Sequence, residues 1–189
     1  MHFERIEALH PHYDPELRQL TLTLDHGKAN EVGSAILDAF EALCELLEEG
    51  DVACLCTTSR RLSKSHTPIF ISGADVTERV GWSDDRVKAH VRRQRSLLRR
   101  LRHVPVFTVA LTHGITLGWG LEFLLTADYC LTTKAARFGL PETLPRPEFP
   151  HPFLRSSTLI RSADTLETRS ALAWTPASGP FAVPLRYDV

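Results

Sequence analysis

Two nearly unbroken apolar runs, "VACLCTT" (52–58) and "VPVFTVAL" (104–111), constrain this chain more than any other feature. Runs of that kind fit strands covered on both faces, and such strands belong to parallel sheets flanked by helices. The intervening and flanking segments supply the helices. "SAILDAFEALCELLEEG" (34–50) places Ile36, Phe40, Leu43 and Leu47 at helical spacing, with Ser34 suited to cap its start and Gly50 to end it. Asp84 is suited to cap a long basic helix that ends near His103, with Val87, Val91, Leu98 and Leu101 as its apolar stripe. "LRQLTLTLD" (17–25) alternates apolar and polar residues and reads as a strand. "LEFLLTADYCL" (121–131) reads as a buried helix passing into a short strand, and "ARFGLPET" (136–143) as a loop. Strands alternating with helices predict an α/β fold with a mostly parallel sheet. No internal repeat is visible.

Composition narrows the function classes. A chain of 189 residues suits one domain, and a net charge of −1 gives no general attraction to nucleic acid or anionic lipid. No apolar run reaches membrane-spanning length, and "MHFERIEALH" lacks the apolar centre of a secretory signal. Cys44, Cys54, Cys56 and Cys130 lack metal-type spacing and read as small buried hydrophobes, so a reduced, cytoplasmic setting is expected. The eight cationic residues of the long helix read as an outer solvated face. RNA binding is disfavoured because no aromatic residue interleaves with them.

Residues 143–189 differ in character. They hold seven of the 12 prolines and one glycine, without a helical or strand period. Residues 1–142 are therefore expected to form the core and 143–189 a poorly ordered or loosely docked tail.

The chemistry concentrates in two glycine-containing segments that each end a buried strand. In "FISGADVTE" (70–78), Gly73 permits close approach of a ligand to the main chain at Ala74. In "HGITLGWGLEF" (113–123), Gly114, Gly118 and Gly120 lie between a strand and a helix, and a helix start leaves N–H groups free. The spacing is neither that of a dinucleotide fingerprint nor of a P-loop. Two free N–H groups, those of Ala74 and Trp119, suit a hole for a carbonyl oxygen that becomes negative during reaction. Tight packing of helix against strand alone would suit Gly114 and is the better account of any single glycine cluster, but two clusters that each end a buried strand favour the hole. Glu122, in the first turn of the helix, and Glu142, in the "GLPE" loop, can hold one water between them as base and acid.

In this order and spacing, "FISGADVTE", "HGITLGWGLEFLLTADYCL" and "ARFGLPE" resemble the crotonase (enoyl-CoA hydratase/isomerase) superfamily. "GKANEVGSAILDAFEAL" resembles its early segment and first helix. The resemblance covers roughly the first three quarters of the chain. It implies a ββα spiral core and an acyl-CoA thioester substrate. The CoA is carried by that substrate, with no other cofactor and no metal, and the assembly is a homo-oligomer, trimer or hexamer. Carried over by position, Ala74 and Trp119 match the oxyanion-hole amides, with Gly73, Gly118 and Gly120 lining the substrate. Glu122 and Glu142 match the catalytic glutamates of the hydratases, and Asp75 and Asp128 match structural aspartates. The implied reaction is hydration of a 2-enoyl-CoA. Isomerisation or decarboxylation of another acyl thioester, and a non-catalytic chain, are the alternatives. Two features depart from the family. Trp119 stands where glycine is usual, its indole either narrowing the acyl pocket or filling the core. The C-terminal helical lid is atypical or missing.

Overall fold

The computed structural model describes residues 3–140 and, beyond them, the backbone of two short strands, Leu154–Arg155 and Phe181–Pro184. After a 3-10 helix (Glu4–Leu9) the order is β1 (Pro11–Asp14), β2 (Gln19–Leu24), α1 (Ser34–Glu49), β3 (Cys54–Ser59), β4 (Ile69–Ile71), a 3-10 turn (Thr77–Arg79), α2 (Asp84–Arg102), β5 (Phe107–Thr112), β6 (Ile115–Leu117), α3 (Trp119–Leu124), β7 (Tyr129–Thr132), β8 (Arg137–Gly139), β9 (Leu154–Arg155) and β10 (Phe181–Pro184). One sheet runs β1-β2-β3-β5-β7-β10, the other β4-β6-β8-β9. All pairings are parallel except those of β1, β9 and β10 at the edges.

A repeat invisible in the residues emerges in the hydrogen bonding. β3, β5 and β7 each lie in the first sheet, and β4, β6 and β8, which follow them, each lie in the second. Helix α2 follows β4 and α3 follows β6, so the chain winds as a ββα spiral. The turn begun by β2 has only a single parallel bridge, Val32 to Ala74, in place of its second strand. The expected α/β class and mostly parallel sheet hold. Strands β6 and β8 lie inside segments read as turn and loop. Three residues are too few to set up an alternation, and only a parallel neighbour defines them.

Local details refine the expectations. Ser83, not Asp84, caps α2 by accepting from the Arg86 N–H at 3.4 Å, and Asp84 falls in the first turn, where its charge still suits the dipole. Ser34 is not the cap of α1. Gly33 takes that place, and the Glu78 carboxylate accepts from the Ser34 N–H at 2.8 Å and from its hydroxyl. A Cβ on Gly33 would stand against that carboxylate. The buried face of α2 is His90, Gln94, Leu97 and Leu101, turned from the apolar stripe. Arg93 forks onto Glu41 and also reaches Asp38, and Arg100 forks onto Glu48. These two arginines therefore tie α2 to α1 instead of serving a solvated outer face. The largest fully buried side chains include Phe40, Phe70, Leu43 and Leu47. Burial pushes the Cys44 and Cys130 thiols up to about 12, which makes them inert packing groups. Among the described residues no helix is long and apolar enough to cross a membrane.

Asn30 fastens the spiral's first turns. It is fully buried in a left-handed backbone conformation (φ 54°). Its Nδ2 donates to Ser59 Oγ at 2.9 Å and to the Phe70 carbonyl at 2.8 Å, and its Oδ1 accepts from the His26 N–H at 2.9 Å. Asn30→Ala strands these groups and puts a Cβ-bearing residue without local compensation at positive φ. We expect a loss of roughly 3 kcal/mol, read as a lower urea midpoint at unchanged slope.

Candidate active site

Three strand ends converge on one spot. β4 and β6 are parallel neighbours, so their C-terminal ends lie at the same edge, Ile71 beside Thr116. β8 pairs with β6 in turn, Leu117 beside Gly139, and the Gly118 N–H donates to the Gly139 carbonyl at 2.9 Å. A Cβ on Gly73 would lie 3.5 Å from the Leu117 carbonyl oxygen, so the loop after β4 touches the loop after β6. Gly73 (φ 123°) and Gly118 (φ 49°) both occupy the positive-φ region that favours glycine. Gly120 is required for contact. A Cβ there would stand 2.6 Å from the Ile71 carbonyl oxygen.

The direction of the Ala74 N–H follows from its neighbours. The Val32 N–H donates to the Gly73 carbonyl at 2.9 Å, and the Asp75 N–H donates to the Val32 carbonyl at 3.0 Å. Residues 73 and 75 thus face Val32, and Ala74 between them turns its N–H the other way, toward the side on which β6 lies. Trp119 is the first residue of α3, and the helix's first backbone bonds run from Leu121 and Glu122 to the Gly118 carbonyl. Neither the Ala74 nor the Trp119 N–H donates to an acceptor among the described residues. Two unspent donors flank one edge.

The Trp119 indole is 4% exposed and packs against Phe40 and Phe123, with both ring centroids at 5.7 Å. The ring thus belongs to the core cluster. Its Nε1 is buried without a partner among the described residues.

Glu122 is exposed. Leu121, Phe123 and Leu124 turn inward, and Glu122 takes the opposite face of the short helix. Glu142 lies outside the described residues, as does the tail, apart from β9 and β10. Those two strands contrast with the absence of any strand period there in the sequence.

The two aspartates act as braces. Asp75 Oδ1 accepts from the Thr77 N–H at 2.9 Å and from its hydroxyl at 2.6 Å, and chiefly that hydroxyl holds the carboxyl below its ordinary range. Asp128 Oδ2 accepts from the Thr108 N–H and hydroxyl, both at 3.0 Å, tying β5 to the start of β7. The brace that sequence reasoning missed is Glu78, which holds the start of α1 against the loop carrying Ala74. Its signal was only a Gly-Ser pair before an apolar periodic run, with no capping partner in the local sequence.

Known proteins share this fold. The family model described as enoyl-CoA hydratase/isomerase matches residues 63–145. Among solved structures, an enoyl-CoA hydratase from Mycobacterium smegmatis superposes with a TM-score of 0.62 at 25% identity, covering 70% of this chain and 50% of its own. An enoyl-CoA hydratase/isomerase family protein from Silicibacter pomeroyi gives 0.57 at 28%, covering 69% and 54%. Pseudomonas aeruginosa DspI gives 0.61 at 24%, covering 70% and 53%. The chain spans about half the length of the solved structures it matches.

Proposed function

From the match to the enoyl-CoA hydratase/isomerase family model and the likeness to solved enoyl-CoA hydratases, we propose that this chain is a crotonase-type protein that binds an acyl-CoA thioester and adds water across the 2,3 double bond of a 2-enoyl thioester. The observation that carries this reading is the pair of unspent N–H groups, Ala74 and Trp119, at one sheet edge, with Glu122 in the adjoining first helical turn.

The thioester oxygen accepts from both N–H groups. This draws electron density from the double bond and makes C3 electrophilic. Negative charge grows on that oxygen as the C3–O bond forms, so the donors stabilise the transition state more than the ground state. A water lies between Glu122 and Glu142. One carboxylate takes a proton from the water, its hydroxyl bonds to C3, and the other carboxyl delivers a proton to C2. A single donor removed from such a hole costs roughly a hundred- to a thousand-fold in rate in other enzymes, so the backbone pair supplies a large share of the effect.

A second reading, a different reaction on an acyl thioester, draws on the exposure of Glu122.

The full chain incubated with crotonyl-CoA tests the proposal, followed by loss of the conjugated enoyl absorbance. Hydration to the 3-hydroxy thioester is the expected result. Thioester binding without hydration favours the second reading, and absence of binding overturns both.

A further inference from the structure

Arg79 Nε, His90 Nε2 and Gln94 Nε2 are each sealed from water without a hydrogen-bond partner among the described residues. They belong to one cluster. Arg79 ends the 3-10 turn that follows Ala74, and its Nη2 donates to Gln94 Oε1 at 3.4 Å. His90 and Gln94 stand one turn apart on the inward face of α2, 7% and 6% exposed. The Trp82 ring meets His90 edge-on at 5.2 Å. Proteins bury few polar atoms without partners, and three in one cluster call for an acceptor that the described chain does not supply.

The cluster's chemistry defines that acceptor. Arg79 Nε and Gln94 Nε2 are donors, and His90 Nε2 donates when it carries the ring proton. Burial first, and Arg79 second, disfavour the charged form of His90. Burial disfavours charge of either sign, so it is the Arg79 contribution that favours an anion here. Glu78 is the carboxylate that acts on His90, and its two oxygens are already bonded to the N–H and hydroxyl of Ser34. That fixed negative charge favours a monoanion over a doubly charged phosphate.

We propose that Arg79, His90 and Gln94 take a carboxylate borne on the far part of the acyl chain whose thioester carbonyl rests on the Ala74 and Trp119 N–H groups. This rests on the acyl-thioester reading above and names its substrate class. Ala74 and Arg79 are five residues apart, at most about 18 Å of chain and less with the 3-10 turn between them, which suits an acyl chain of modest length.

The test compares kcat/KM of the full chain for two 2-enoyl-CoA thioesters of equal length, one ending in methyl and one in carboxylate. In parallel, free glutarate is titrated against the fluorescence of Trp82, assigned with Trp82→Phe. The carboxylate-ended thioester is expected to be preferred by roughly tenfold or more, as for a charge-assisted hydrogen bond. Gln94→Leu is expected to erase most of that preference and to weaken glutarate binding, and its urea midpoint controls for folding. Turnover without preference and without a glutarate response overturns this proposal and leaves hydration standing. A preference untouched by both Gln94→Leu and His90→Phe also overturns it. Glutarate bound in a Gln94-dependent way, with neither thioester turned over, keeps the carboxylate site and removes the hydratase reading. No response in either arm removes both.

Discussion

Glu122→Gln is expected to lower kcat for crotonyl-CoA by roughly 10²–10⁴-fold, with KM little changed. Glutamine keeps the size and the hydrogen bonding that position a water but cannot accept its proton. Glu122 is exposed on α3, and its backbone N–H is held by the Gly118 carbonyl at 3.2 Å whatever the side chain. The substitution should therefore change stability by no more than about 0.5 kcal/mol, as surface changes usually do. Steady-state kinetics beside a urea titration separate the two effects. A variant with near-normal kcat would take Glu122 out of the chemistry and leave only the oxyanion pair.

The second large effect is structural. Gly120→Ala would bring a Cβ to 2.6 Å from the Ile71 carbonyl oxygen and 2.7 Å from the Ile71 Cβ. The first of these is backbone and the second is fixed to it, so neither can rotate away. α3 must move off β4, at a cost of about 3 kcal/mol as severe overpacking. The same movement carries the Trp119 N–H away from its aim, and loss of one such donor costs about 10²–10³-fold in rate. Gly114→Ala provides the contrast. Its Cβ would meet the Pro68 carbonyl, at the opposite end of the β4–β6 pair, so stability should fall while the folded fraction keeps its rate. Melting curves and activity per folded molecule distinguish the two.

What could be read beforehand divides along physical lines. β2 and α1 were legible because each carries a period long enough to show which face is buried, β3 because it is a nearly unbroken apolar run, and α2 as a helix although its apolar stripe is not the face it buries. β5 was legible as a strand, yet its most buried positions are Thr108, Ala110 and Thr112, while Phe107 stays 47% exposed. The threonines are accepted inside because Thr108 is bonded to Asp128 and Thr112 to Thr116. No hydropathy pattern carries that information. β6 and β8 escaped notice because three-residue strands acquire their identity from the neighbour they pair with. The ββα repeat is likewise a regularity of hydrogen bonding, with unequal loops and unrelated residues in each turn. At the site, glycines flagged the converging backbone because only close contact or positive φ demands them. Glu78 and the Arg79–His90–Gln94 cluster depend on contacts between distant segments.

The central claim is that two main-chain N–H groups share one thioester oxygen. A crystal structure of the full chain with butyryl-CoA bound tests it most directly. The thioester oxygen should lie about 2.7–3.1 Å from both the Ala74 and the Trp119 nitrogens. An acyl-CoA seated elsewhere, or a carbonyl within reach of only one of the two nitrogens, would contradict the account.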